Sequence, residues 1–145
     1  MKITIVDRAD NEEDEIIIRC RQVDEHILKL VYAMRAGQDK LTAVKDGAIV
    51  QIPPKEVFYF EAVDNKVFVY LEKAVYETKF KLYELEERFQ ATDFLRVSKS
   101  AILNLSKVKC LNPVFNGRFE ATMKNGEKLV ISRQYVPALK ERLGL

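Results

Sequence analysis

Between Leu41 and Ile131 the chain is cut into short apolar runs by pairs that favour tight turns: Asp46-Gly47, Asn116-Gly117 and Asn125-Gly126. Such pairs accept positive φ at both central positions, the geometry that joins two twisted antiparallel strands. The flanking segments read as strands: Leu41–Val44 with Ala48–Ile52, and Val57–Ala62 with Lys66–Leu71 around Val63-Asp64-Asn65. Further strands are expected at Val75–Phe80, Phe94–Val97, Val108–Asn112, Arg118–Met123 and Lys128–Ile131. Pro53-Pro54 ends the first hairpin, because proline donates nothing to a ladder. Leu82, Leu85, Glu86 and Phe89 mark a short helix, and Gln134–Leu143 a last one with Val136, Leu139 and Leu143 on one face. Ser98–Ser106 reads as a compact stretch without an assigned element. Closely spaced short strands of this kind predict a mainly β, elongated antiparallel domain with short helices over residues 41–145.

Residues 1–40 differ. They predict a small β-β-α extension: strands at Lys2–Val6 and Ile16–Arg21 around an acidic turn (Asp10, Glu12, Glu13, Asp14, Glu15), then a helix. Val23, Ile27, Leu30, Val31 and Met34 recur at helical spacing, Asp24 and Glu25 suit the positive end of the helix dipole, and Gly37 is the expected stop. So small a unit does not hold a core of its own. Its apolar stripe either covers one end of the β domain or pairs with a second copy in a homodimer.

Charge is unevenly placed. Residues 96–145 carry ten Lys/Arg against three acids, a net +7, while residues 1–40 carry seven against nine and the whole chain totals +2. A basic end on a small protein fits a polyanion, and nucleic acid is the default, although a solvated basic face reads the same way. No apolar run approaches the ~20 residues that span a bilayer. The first residues do not read as a signal peptide, so a cytoplasmic location is expected. Cys20 and Cys110 lack CxxC spacing and read as small buried hydrophobes.

Catalysis has little support. His26 is the only histidine and sits beside the apolar face of the extension helix. No serine lies in a GxSxG elbow, and neither GxxxxGK[ST] nor GxGxxG occurs. Glu86 and Glu87 read as solvated, and Glu61 with Asp64 carries no mark of an acid/base couple. No enzyme activity, cofactor, metal site or small-molecule substrate is expected. Three loops suit binding instead: Asp64-Asn65-Lys66, Arg96-Val97-Ser98-Lys99-Ser100 and Ser132-Arg133-Gln134-Tyr135. Arg and Lys neutralise phosphate or read guanine, Asn and Gln read adenine, and Ser anchors backbone oxygens. The bland alternatives stay open at each: Asn65 as a turn residue, Ser132 as a helix N-cap.

The stretch Phe94-Leu95-Arg96-Val97-Ser98-Lys99-Ser100-Ala101-Ile102-Leu103-Asn104 resembles the signature of the LytTR-type DNA-binding domain, F-x-R-(V/C)-H-(R/K)-S followed by apolar residues and Asn. Phe58–Val67 resembles that family's early strand and turn, and Asn125–Tyr135 its closing strand with an S-R-x-Y turn; order and spacing agree from Leu41 to Leu143. The resemblance implies a bacterial transcription regulator that inserts side chains from inter-strand loops into the major groove of double-stranded DNA and bends it. By position it implies DNA contacts at Asn65, Lys66, Lys99, Arg133 and Gln134, with Arg96, Ser98 and Ser100 in the same signature. Arg96 is expected to pin its loop through backbone carbonyls or an acid, and Asn104 to orient a turn. Ser98 stands where the family usually has His, which weakens base reading there. Many members carry a receiver domain in front. The extension is too short for one, so a stand-alone member is expected and Asp7 and Asp10 are not phosphoacceptors. Two other classes are weighed against DNA binding: a β-scaffold protein-interaction module, and an RNA binder, which wants aromatics displayed on a sheet where Phe58, Phe60, Phe68, Phe80, Phe89 and Phe94 follow core patterns.

Overall fold

The computed structural model describes residues 1–38 and 40–145. Ten strands follow one another as β1 (Leu41–Lys45), β2 (Ala48–Ile52), β3 (Tyr59–Val63), β4 (Lys66–Tyr70), β5 (Val75–Thr78), β6 (Phe94–Ser98), β7 (Ala101–Asn104), β8 (Val108–Pro113), β9 (Phe119–Met123) and β10 (Lys128–Ile131). Among the described residues three α-helices accompany them: α1 (Glu25–Gln38), α2 (Leu82–Arg88) and α3 (Val136–Leu143). The fold is mainly β and antiparallel, as the turn spacing predicts. Seven strands form one sheet in the order β2-β1-β5-β4-β3-β7-β6, and three form a second in the order β10-β9-β8.

Period-two alternation sorts side chains between two cores. On one face of the large sheet Phe60, Val67, Val69 and Ile102 pack with Leu82, Leu85 and Phe89 of the α2 region. On the other, Tyr59, Ala101 and Leu103 meet Ala121, Met123 and Ile131 of the small sheet and Val136 and Leu139 of α3. β7 is therefore buried along its whole length. That explains the one strand the sequence pattern misses: Ala101–Asn104 lies within the compact stretch, and a strand covered on both faces has no polar alternation to display. Asp46 and Gly47 (φ 51° and 80°) and Asp64 and Asn65 (φ 50° and 65°) take positive φ at both turn positions, as twisted hairpins require.

Three expectations need correction. Residues 1–24 contain no strand, so the extension is not β-β-α; its only regular element among the described residues is α1. Ile3, Ile5, Ile16 and Ile17 are exposed and unpaired with any ladder, and a lone hairpin without a covering layer is marginal in water. Second, both cysteines are exposed, not buried. Third, α1 runs to Gln38, past Gly37. Asp24 caps it by accepting from the Ile27 N–H at 2.9 Å. Its stripe (Ile27, Leu30, Val31, Met34) is only half-buried against the turn at Pro54–Glu56. Among the described residues no helix is long and apolar enough to cross a membrane.

Candidate nucleic-acid interface

Three loops become neighbours through two backbone hydrogen bonds. The Ala62 N–H donates to the Ser100 carbonyl at 2.8 Å, which ties the end of β3 to the β6–β7 turn. The β3–β4 turn with Asn65 and Lys66 follows at once. The Ser132 N–H donates to the Val97 carbonyl, also at 2.8 Å, which ties the segment after β10 to β6. Arg133 and Gln134 therefore stand beside the turn of Lys99. All three tips project from one end of the strand framework. Asn65, Lys66, Lys99, Ser100, Arg133 and Gln134 are exposed. Among the described residues the ion pairs are Arg8–Asp14, Lys29–Glu25, Arg96–Glu86 and Lys128–Glu120, which leaves Lys66, Lys99 and Arg133 unpaired within that set.

Arg96 points inward. Its Nε donates to the Ser98 carbonyl at 2.7 Å, its Nη2 to the Lys99 carbonyl at 2.5 Å, and its Nη1 lies 3.4 Å from Glu86 Oε2 on α2. Its side chain is only 19% exposed. Guanidinium is the one side chain whose planar fork reaches two adjacent carbonyls and a carboxylate together. The loop is thereby fixed with the Lys99 side chain outward. The expected pinning contacts are present, and they take up the charge that would otherwise face a ligand. Ser98 and Ser100 turn toward each other: the Ser100 N–H donates to Ser98 Oγ at 3.2 Å, and the two hydroxyls are 3.4 Å apart. Asn104 is buried, donates from Nδ2 to the Val57 carbonyl at 2.7 Å and accepts from the Ser106 N–H, so it orients the turn after β7.

Behind the tips, Tyr59 and Tyr70 stack as a cross-strand pair with centroids 4.2 Å apart. Burial, then the neighbouring Glu127 carboxylate, pushes the Tyr59 phenol well above its ordinary value; burial, then Glu61, raises Tyr70. Both rings stay neutral and act as packing. Among the described residues no group of three or more His, Cys, Asp or Glu is placed to hold a metal, and His26 is exposed. A groove of about 1110 Å³ lies between α1 and the domain, lined by Leu28, Tyr32, Phe89 and Phe94, and none of the three tips borders it.

The model of the LytTr DNA-binding domain matches residues 47–144. The chain belongs to the LytTr DNA-binding domain family. A solved LytTr DNA-binding domain from Bacillus cereus superposes with a TM-score of 0.70 at 28% identity, covering 75% of this chain and 100% of that one. A sensory transduction protein LytT of Enterococcus faecalis is 30% identical over 97 residues, 67% of this chain and 40% of its own. The Bacillus subtilis LytT is 30% identical over 123 residues, 85% of this chain and 51% of its own. The chain thus spans about half the length of these LytT relatives. An HTH-type transcriptional regulator of Staphylococcus aureus is similar at 27% over 147 residues, 100% of this chain and 99% of its own, so that relative has a counterpart of the extension. The family model spans β2 to α3, and the extension and β1 lie before the residues it matches.

Proposed function

We propose that this LytTr protein is a cytoplasmic, non-enzymatic, stand-alone transcription regulator that binds double-stranded DNA sequence-specifically through its three tips. Lys99, Arg133 and Gln134 reach into the major groove with Asn65 and Lys66, and Ser98 and Ser100 offer hydroxyls to phosphate. Arg96 acts through the loop it holds. The observation that carries this reading is the pair of hydrogen bonds, Ala62 to Ser100 and Ser132 to Val97, that gathers the unpaired cations at one end. Titration of labelled duplex at several salt concentrations tests it. Lys99→Ala and Arg133→Ala are expected to weaken binding. If Arg133 reads a guanine, the loss is about 1–3 kcal/mol and confined to its cognate base pair. If it meets only phosphate, the loss is uniform and the salt slope falls by about one. Unchanged affinity in both variants sinks the three-tip assignment.

The extension is proposed to pair two copies, which sets two domains on two half-sites. Its support is apolar surface left open by the described residues: Ile3 is 85% exposed, Ile5 91% and Ile16 70%. Light scattering of the full chain beside a chain beginning at Lys40 decides it, and equal monomeric masses refute it.

A further inference from the structure

The hairpin between β8 and β9 ends beside Arg133. Ile131 is in register with Phe119, so the chain leaving β10 runs past the residues entering β9. Asn116 and Gly117 take φ of 62° and 72°, which turns the tip back on itself. Gly117 then faces the stem of Arg133 so closely that a Cβ built on it would lie 3.2 Å from both Arg133 Cγ and Cδ. Arg118 donates from Nε to the Phe115 carbonyl at 3.2 Å, which braces the tip and leaves its terminal nitrogens outward. Arg118 is exposed and makes no ion pair with any described residue. Phe115 is 84% exposed, the most exposed aromatic residue of the β domain. Folding gains nothing from a bare phenyl ring at a turn. Next to two unpaired guanidinium groups, the surface it continues is one that attracts phosphate.

We propose that the β8–β9 tip is a fourth contact with duplex DNA, in which Arg118 meets a phosphate, Phe115 lies on the adjoining deoxyribose, and Gly117 is the seat that aims Arg133. The proposal rests on the three-tip reading above. It adds a contact that carries no base information, because phosphate and sugar are the same at every step. Gly117 is a positioning residue: it touches Arg133, not the nucleic acid.

The probe is a pool of random-sequence duplexes of about 30 base pairs, long enough for one bound domain, titrated with the full chain across a range of salt. Arg118→Ala is expected to weaken binding and lower the salt slope by about one. Phe115→Ala is expected to weaken binding about fivefold with the slope unchanged, because an apolar contact releases no counterion. Gly117→Asn keeps a residue type that tolerates left-handed backbone but places a Cβ against Arg133. Its loss of affinity should vanish in an Arg133→Ala background, while its melting temperature stays near that of the parent. Normal binding by both Phe115→Ala and Arg118→Ala, with Lys99→Ala and Arg133→Ala impaired, overturns the fourth contact and leaves the three tips standing. Normal binding by all four variants, on this pool and on the duplex the parent chain prefers, removes both. A Gly117→Asn loss of equal size with and without Arg133 overturns the seat.

Discussion

The extension and the β domain contain segments of nearly the same pattern with opposite fates. Lys2–Val6 alternates polar and apolar residues as cleanly as Leu41–Lys45 does, yet the first carries no ladder and the second lies between β2 and β5. Leu41 and Ala43 are fully buried, while Ile3 and Ile5 are almost fully exposed. Alternation specifies which side chains share a face; it does not supply the neighbour or the covering layer. Within residues 41–145 each strand finds both, and among the described residues before Leu41 no segment does.

The contrast can be pressed at points of decreasing effect. Phe60 touches the rings of Phe89 and Phe94 at centroid distances of 6.1 and 5.4 Å in the core under α2. Phe60→Ala should lower the unfolding free energy by about 3–5 kcal/mol in a denaturant titration. Arg96→Ala removes two carbonyl bonds and the Glu86 pair, and should cost about 1.5–3 kcal/mol while weakening DNA binding through a loosened Lys99 turn. A variant that keeps full affinity would show that the clasp is unnecessary for the site. Tyr59→Phe should have a smaller effect, about 1 kcal/mol or less at neutral pH, and should show best in alkali. The folded phenol titrates above its ordinary 10.0, so the stabilisation is complete below pH 10.0 and is lost as pH climbs toward the raised folded value. Thermal melts across that window should decline less steeply for Tyr59→Phe. Smallest of all, Ile5→Ser in the extension should shift the stability of a single chain by less than about 0.5 kcal/mol. A larger loss that depends on protein concentration would mean that a second copy covers this residue.

Much of the β domain is legible in the order of its residues because local chemistry and global fold agree there. Ala48–Ile52 and Lys128–Ile131 run between the bounds their turns suggest. β7 is hidden because both its faces are inside, and residues 1–24 mislead because a ladder partner is a tertiary fact. The same division holds at the site. Asn65, Lys66, Lys99, Arg133 and Gln134 stand out as polar residues on turns, and the hydrogen bonds that gather those turns join segments far apart in the chain. By residue type alone Arg96 is one more cation; its pinning role is implied by the family resemblance, and the carbonyls it holds are set by the fold. The seat that Gly117 offers Arg133 has no trace in either local sequence, since a missing Cβ matters only once the two segments meet.

The guanidinium clasp at Arg96 has a consequence for the manner of association. A loop already set in its working shape surrenders little conformational freedom on meeting its partner, so the attraction of its lysine is not offset by the loss of disorder that a floppy arm would suffer. Encounters at this turn should resemble the docking of a rigid key bit, quick to seat and governed mainly by how fast the complex comes apart.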